Sequence, residues 1–257
     1  MKGFCPLASG SKGNSLYVGT DTTRILIDAG ISAKMLLERL KEIDVELESI
    51  QAILVTHEHV DHIQGLKTLC RQIGVPILTN LETAKGICNA LEIQPRFKIF
   101  TTGESFVFGD LEIHPFGVPH DTLDPVAFAI NAAGLKLGVC TDLGHVTSLI
   151  RRNLEKCDYL VLEANHQPSL VHASSRPAVY KQRVLGRQGH LSNEACANLL
   201  LSIFHDGLKH VHLAHLSREC NDPNIALSVV RDLLHAQGLI VPLSIAYQEK
   251  ISQALHF

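Results

Sequence analysis

The stretch "VTHEHVDHIQG", residues 55–65, completes the apolar run "AILVT" and places His57, His59, Asp61 and His62 within six positions. Residues two apart on an extended strand point to the same side, so His57 and His59 share one direction at the C-terminal end of the run. Asp61 and His62 come next, where the chain begins to look helical. One short turn can therefore aim four side chains at two adjacent points.

These residue types indicate a metal site. Imidazole and carboxylate ligands suit Zn, Mn or Fe(II), whereas Ca and Mg prefer oxygen ligands alone. The alternative is a polar turn with surface histidines. The density of ligands directly after an apolar run, in a chain with 15 histidines, favours the metal.

Composition limits the class of protein. The chain has 257 residues, 46% of them hydrophobic, and no low-complexity linker, so we predict a single domain over residues 1–257. A net charge of −3 excludes a general basic field. Seven widely spaced cysteines without a C-x-x-C pair predict reduced thiols. Without a signal-like start or an apolar run of roughly 20 residues, we expect a cytoplasmic protein with no membrane contact.

Short apolar runs alternate with helical patterns, which is typical of α/β proteins. The runs predicted as strands are "LYVG", "RILID", "AILVT", "PILT", "LEIHPFGV", "VAFAI", "LKLGVC", "YLVLEA", "HVHLAH" and "LIVPLSIAY". Helical spacing appears in "AKMLLERLKEI" and in "NDPNIALSVVRDLLHAQG", where Asp222 is the predicted N-cap, Pro223 opens the helix and Gly238 ends it. "ILIDAG" (25–30) and "GVCTDLG" (138–144) each run an apolar strand into Asp-x-Gly. Two related halves packed sheet to sheet would produce this echo.

The histidine-rich turn resembles the signature of the metallo-β-lactamase superfamily. The resemblance implies a four-layer αββα sandwich with a dinuclear metal site at one edge of its sheets. The superfamily needs three later ligands, and each has a candidate at a predicted strand end. They are His120 in "GVPHDTLDP", Asp142 in "GVCTDLG" and His215 in "HVHLAHLS".

Carried over to this sequence, the resemblance implies one site of His57, His59 and His120. A second site would contain Asp61, His62 and His215, with Asp142 shared between the two. Two divalent ions are expected, zinc first, with Mn or Fe as alternatives. Glu58 alternates away from the ligands, and the resemblance assigns no role to His145.

Three further stretches, "LASGSKGNSLYV", "LEANHQPSL" and "GRQGHLSNEA", narrow the resemblance to the YycJ-like (WalJ-like) family. That family implies a phosphodiesterase with 5′ to 3′ DNA exonuclease activity. "GHLSNEA" is also similar to an element of the tRNA 3′-processing branch in which a histidine assists at the scissile phosphate. We therefore expect His190 to act as phosphate ligand or general acid, with His166 as the rival.

Residues 164–193 contain no acidic side chain, which favours a patch that binds the phosphate backbone of DNA. The alternative is a solvated basic face. The expected substrate contacts in this segment and the Gly-rich N-terminal stretch are Lys12, Asn14, Ser15, Asn165, Arg176, Lys181, Arg183, Arg187, Ser192 and Asn193.

The leading hypothesis is a dinuclear phosphodiesterase acting on DNA, in which a hydroxide shared by the metals attacks phosphorus and Asp61 orients it. A small-molecule phosphodiester or thioester hydrolase is the enzymatic alternative. A non-catalytic metal-binding scaffold is the alternative of another class. The sequence leaves the oligomeric state open.

Overall fold

Thirteen short strands assemble into two sheets in the computed structural model, which describes residues 1–257. The first sheet contains β1 (Gly3–Ala8), β2 (Ser15–Gly19), β3 (Arg24–Ile27), β4 (Ala52–Leu54), β5 (Ile77–Thr79) and β6 (Phe97–Ile99). The second contains β7 (Phe106–Phe108), β8 (Leu111–Gly117), β9 (Val126–Ala132), β10 (Leu135–Cys140), β11 (Tyr159–Glu163), β12 (His210–Ala214) and β13 (Leu243–Ile245).

Nine α-helices connect the strands. They are α1 (Ala33–Lys41), α2 (Val60–Ile63), α3 (Leu66–Gln72), α4 (Leu81–Leu91), α5 (Ser148–Leu154), α6 (Pro168–Ala173), α7 (Ala178–Leu185), α8 (Asn193–Ile203) and α9 (Pro223–His235). None of these helices has the length and apolar character needed to cross a bilayer.

The two sheets repeat one plan. In the first, β1 to β3 are antiparallel and β3 to β6 are parallel; in the second, β7 to β10 are antiparallel and β10 to β13 are parallel. The change occurs at β3 and β10, which are the strands followed by the two Asp-x-Gly stretches. Asp28 and Asp142 both adopt the left-handed region, with φ of 60° and 57°. The predicted echo therefore marks equivalent positions of two related halves.

Apolar side chains fill three layers of contact. One cluster lies between the sheets and includes Phe4 and Phe128. A second packs α1, α3 and α4 on the outer face of the first sheet, and a third packs α5, α8 and α9 on the second sheet. Strands covered on both faces are expected to be apolar throughout, as β4 and β5 are, with every residue buried. The predicted αββα sandwich is confirmed.

The strand predictions missed β1, β6 and β7. Pro6 interrupts the apolar run of β1, and proline is tolerated there because β1 is an edge strand. β6 and β7 have three residues each, too few to show a period. In α9, Asp222 accepts a hydrogen bond from the backbone N–H of Asn224 as predicted, but the helix ends at His235. Gly238 instead reverses the chain, with φ of 73°.

The layer between the sheets should dominate stability. Phe128 is fully buried there and packs edge-on against Phe100, with ring centroids 6.0 Å apart. We predict that Phe128→Ala lowers the free energy of unfolding by about 3–5 kcal/mol. The control Val107→Ala, at a side chain 72% exposed, should change it by less than about 0.5 kcal/mol. Urea denaturation followed by circular dichroism measures both, and equal effects would contradict the assigned core.

Candidate metal centre

A cavity of about 220 Å³ lies where strands of both sheets end. His57 and His59 follow β4, and Asp61 and His62 occupy the first turn of α2. The later candidates follow strands of the second sheet: His120 after β8, Asp142 after β10 and His215 after β12. All seven side chains predicted as ligands therefore converge on one edge of the sandwich.

The seven side chains fall into the two groups expected from the sequence. The ligand atoms of His57, His59 and His120 lie within 4.8 Å of one another, as do those of Asp61, His62 and His215. Asp142 lies between the groups. Its Oδ1 is 3.9 Å from His120 Nε2, and its Oδ2 is 3.5 Å from His62 Nε2.

Three buried atoms at the cavity test whether metal ions fit. His120 Nε2, Asp142 Oδ2 and His215 Nε2 have no hydrogen-bond partner within the protein. A buried polar atom without a partner costs about 1–3 kcal/mol, so such atoms rarely cluster without a ligand. Nitrogen and carboxylate oxygen are also the donors that Zn, Mn and Fe(II) accept. The residues present fit a metal-binding site.

Other groups set the orientation of the imidazoles. His120 Nδ1 donates to the carbonyl of Gly189 at 3.1 Å, which leaves Nε2 facing the cavity. His62 Nδ1 donates to the buried carboxylate of Asp28 at 2.7 Å. Such partners fix the tautomer and ring direction of a metal-binding histidine. Asp28 is absent from the sequence-based site, although its position in "ILIDAG", equivalent to Asp142, was a signal for it.

Glu163 is the second residue that the sequence-based site missed. Its side chain is fully buried, and Oε1 accepts hydrogen bonds from His190 Nδ1 at 2.8 Å and His215 Nδ1 at 2.9 Å. Its Oε2 accepts from the backbone N–H groups of Leu143 and Leu191, both at 3.0 Å. A carboxylate at the end of the apolar strand "YLVLE" was the available signal.

The charges of the cluster are strongly coupled. Burial alone would lower the pKa of His62, but the carboxylates of Asp28 and Asp142 outweigh it and raise the pKa to about 9. Burial would likewise lower the pKa of His215, yet Asp142 and Asp61 hold it well above the usual value. By contrast, burial lowers the pKa of His57 well below its ordinary value, and neighbouring imidazoles add to the effect.

His190 and His166 occupy different environments. His190 lines the cavity, and because Nδ1 donates to Glu163, its Nε2 is the free nitrogen. His166 is only 2% exposed and does not line the cavity. Burial lowers the pKa of His166 to about 4, so its ring is neutral at pH 7. The structure therefore brings His190, and not its rival, to the metal centre.

Three of the ten expected substrate contacts lie at the metal cavity or at the cavity beside it. Asn165 and Arg183 line the metal cavity, and Arg183 and Arg187 line the one beside it. The other seven are absent from both linings: Lys12, Asn14, Ser15, Arg176, Lys181, Ser192 and Asn193.

The Gly-rich N-terminal stretch packs against the segment that contains Asp61 and His62, and it does not face the cavity through Asn14 or Ser15. Asn14 is buried, and its backbone N–H donates to the carbonyl of Asp61 at 2.8 Å. Its amide Nδ2 lies 3.0 Å from His62 Nε2. Ser15 is also buried and donates to the carbonyl of Asp28 at 2.9 Å. The expectation that these two side chains face substrate is corrected, because both are used inside the protein.

Two further expected contacts have structural roles in α8. Ser192 is the N-cap and accepts from the backbone N–H of Ala195. Asn193 is fully buried and donates to Gln167 and Asn221, so it cannot reach substrate.

The acid-free segment is not a continuous free positive patch. Arg176 forms an ion pair with Glu219, and Arg183 Nε donates to Asp121 Oδ2 at 2.6 Å. Lys181 donates to the carbonyl of His172. Both acids come from outside the segment, so its sequence overstated its charge. Ser11, Tyr180 and Ser217 also line the metal cavity, although none of them was among the predicted contacts.

The chain resembles known proteins in sequence and fold. Residues 23–212 match the beta-lactamase superfamily domain. The chain is 36% identical over 237 residues to "Exodeoxyribonuclease YycJ" of Bacillus anthracis, covering 91% of this chain and 90% of that protein. It is 35% identical to "Exodeoxyribonuclease WalJ" of Streptococcus pneumoniae, covering 90% and 87%. The crystal structure of the metallo-β-lactamase fold protein YhfI from Bacillus subtilis has a TM-score of 0.72 at 15% identity, covering 96% and 97%, a likeness of fold alone.

Metal uptake should release protons. With a pKa of about 9, His62 is protonated at pH 7.5 in the metal-free protein, and a ligating imidazole must be neutral. We predict that Zn²⁺ binding releases at least one proton per chain and strengthens from pH 6 to 9. Calorimetry in buffers of different ionisation enthalpy measures the release. Asp28→Asn removes the carboxylate that raises this pKa and should release fewer protons; equal release by both proteins would contradict the assignment.

Proposed function

This chain belongs to the YycJ-like family of the metallo-β-lactamase superfamily, a family of metal-dependent hydrolases, and we propose that it is a DNA phosphodiesterase of the 5′ to 3′ exonuclease type. The observation that carries the proposal is the position of His190, which faces the same cavity as both groups of ligands. An imidazole there can serve a scissile phosphate. The exonuclease names of both relatives support DNA as the substrate, and residues 1–257 would act as one domain.

The proposed ligand sets follow the two groups. His57, His59 and His120 would hold one ion, and Asp61, His62 and His215 the other; Asp142 would contact both. We propose zinc, with Mn or Fe(II) as alternatives that the same donors accept. When bound, the ions supply Lewis acidity toward phosphate oxygens and a water that ionises near neutral pH.

The protein's own side chains would then position the phosphate and handle its protons. The carboxylate of Asp61 is 25% exposed and reaches the cavity, where it can orient an attacking water. His190 Nε2 can donate a proton to the leaving oxygen, since Glu163 holds the ring through Nδ1. Asn165 and Arg183 can contact the non-bridging oxygens from the cavity wall.

A small-molecule phosphodiesterase is the second candidate, because a cavity of about 220 Å³ has room for one small diester. Activity on bis(p-nitrophenyl) phosphate together with none on DNA would favour it. Cleavage assays with 5′- and 3′-labelled single- and double-stranded DNA, alongside RNA, decide between the nuclease and the small-molecule phosphodiesterase. They also give the direction in which a strand is degraded.

Asp61→Ala should abolish turnover of DNA while leaving the fold intact, because this carboxylate is proposed both to hold an ion and to orient water. The measurements are release of labelled nucleotides by the Zn- or Mn-loaded enzyme and the circular dichroism spectrum. Asp206→Ala, at an exposed carboxylate outside the cavity, is the matched control. Near-wild-type cleavage by Asp61→Ala would overturn the metal assignment.

His190→Ala should reduce kcat on DNA by about 10²–10⁴-fold, the usual range for a lost general acid. The loss should be much smaller on bis(p-nitrophenyl) phosphate, since p-nitrophenolate leaves without protonation. His114 lies on β8, is half-buried and forms a hydrogen bond with Ser105. His114→Ala should have little effect on either substrate. Equal losses of His190→Ala on both substrates would rule out proton donation to the leaving oxygen.

A further inference from the structure

A second cavity, of about 590 Å³, adjoins the metal cavity. Arg183 lines both of them. The loop after α7 forms part of their common wall: Gly189 lines the second cavity, its carbonyl accepts from His120 Nδ1, and His190 lines the first. A strand with its scissile phosphate at the metals can therefore extend into this second cavity.

The second cavity contains one cation that no acid neutralises. Arg183 is paired with Asp121, so these two charges cancel. Arg187 forms no ion pair, and its guanidinium has a single side-chain partner in the protein, His145. The backbone N–H groups of Arg187 and Gln188 also donate to no other group of the protein. The cavity thus offers an anion a positive charge that no acid of the protein cancels.

His145 positions this cation without cancelling it. Its Nδ1 donates to the carbonyl of Arg187 at 2.9 Å, so the neutral ring presents Nε2 as an acceptor for Arg187 Nη2 at 3.1 Å. A carboxylate in the same place would orient the guanidinium but neutralise it. Gly144 permits the contact, because a Cβ there would lie 2.4 Å from the Arg187 carbonyl carbon and oxygen.

The lining favours phosphate over a nucleobase. It contains no Phe, Tyr or Trp on which a base could stack, while arginine is suited to bind phosphate oxygens in pairs. Arg187 and His190 are three residues apart, so their Cα atoms are separated by at most about 11 Å. A phosphate at Arg187 and one at His190 can therefore belong to the same short piece of strand.

We propose that the cavity at Arg187 binds a second phosphate of the substrate strand, flanking the phosphate that is cleaved, and that His145 is the positioning residue for Arg187. The proposal rests on the proposed function. The phosphate can be an internal diester or a terminal monoester, and the two share the chemistry that Arg187 recognises.

Removal of single phosphate charges tests the contact. The substrates are one labelled DNA strand with a 5′-phosphate, the same strand with a 5′-hydroxyl, and two strands with a neutral methylphosphonate in the linkage before or after the scissile one. We expect one of these changes to reduce wild-type kcat/KM by about 10- to 100-fold, as for a lost charge-assisted hydrogen bond. Loss with the 5′-hydroxyl identifies a terminal phosphate, and loss with a methylphosphonate an internal one.

For Arg187→Ala, kcat/KM on the unmodified strand should be about 10- to 100-fold lower than for wild type. It should fall no further when that phosphate is neutralised. Arg187→Lys should recover part of the loss. Arg152→Ala, at an exposed arginine of α5 outside both cavities, should respond to the modified strands as wild type does. If Arg187→Ala responds as wild type at every position, or if no position matters to wild type, the proposal is overturned.

Binding provides a readout apart from turnover. With EDTA present, fluorescence anisotropy of a labelled single strand should give a plot of log K against log salt. Its slope should be shallower for Arg187→Ala by about 0.7, the change for one lost phosphate contact on a single strand. An unchanged slope would contradict the contact.

The role of His145 is tested through Arg187. His145→Leu should weaken cleavage of the unmodified strand, and His145→Gln should recover activity because its amide can both accept and donate. The double variant with Arg187→Ala should be no worse than Arg187→Ala alone, since His145 acts through that residue. Additive losses would overturn the positioning role.

Failure of the proposed function gives a different result. An enzyme that cleaves bis(p-nitrophenyl) phosphate but none of the DNA strands would refute DNA cleavage, and this inference with it. An enzyme that cleaves every strand equally well, with or without Arg187, would refute this inference alone.

Discussion

The buried carboxylate of Glu163 is the constraint on which the metal centre depends. It accepts four hydrogen bonds from three segments of chain: Leu143 after β10, His190 and Leu191 before α8, and His215 after β12. An ionised carboxylate with no access to water is stable only when such donors surround it. Burial would raise the pKa of Glu163, but the imidazoles of His190 and His215 outweigh it and draw the pKa below the usual range. The carboxylate holds its donors in place in return, so one buried charge fixes the ring orientations of His190 and His215.

The first half of the molecule uses the same principle. Asp28, in the position equivalent to Asp142, accepts from the backbone N–H of Thr56 and holds His62 by Nδ1. In both halves the glycine two residues later lets another loop approach closely: a Cβ at Gly30 would lie 1.6 Å from the Asp61 carbonyl oxygen, and one at Gly144 would meet Arg187. The glycine of the first Asp-x-Gly therefore packs against the loop that contains Asp61, and the glycine of the second packs against the loop that contains Arg187.

Charged groups are closely spaced at the centre of the site, and few of those around it lack a partner. At the centre, carboxylate oxygens and imidazole nitrogens lie less than 4 Å apart. At the rim, most arginines of the acid-free segment are paired with acids from elsewhere, which leaves them little attraction for a distant phosphate. Arg187 differs because its partner is a neutral imidazole. Among the arginines of the segment, Arg187 is therefore the one whose charge no acid cancels.

Much of this molecule was predictable from local sequence. The spacing of His57, His59, Asp61 and His62 after an apolar run, with His120, Asp142 and His215 at later strand ends, predicted which residues meet, since parallel strands bring their C-terminal ends to one edge. Glu163, Asp28 and the choice between His190 and His166 depended on tertiary structure, because hydrogen-bond partners and burial are set by segments far apart in the chain. Local charge was the least reliable guide: Asp121 and Glu219 cancel arginines more than 40 positions away. Sequence alone determined the fold and which side chains gather at the site, and only the folded chain decided which charges stay free.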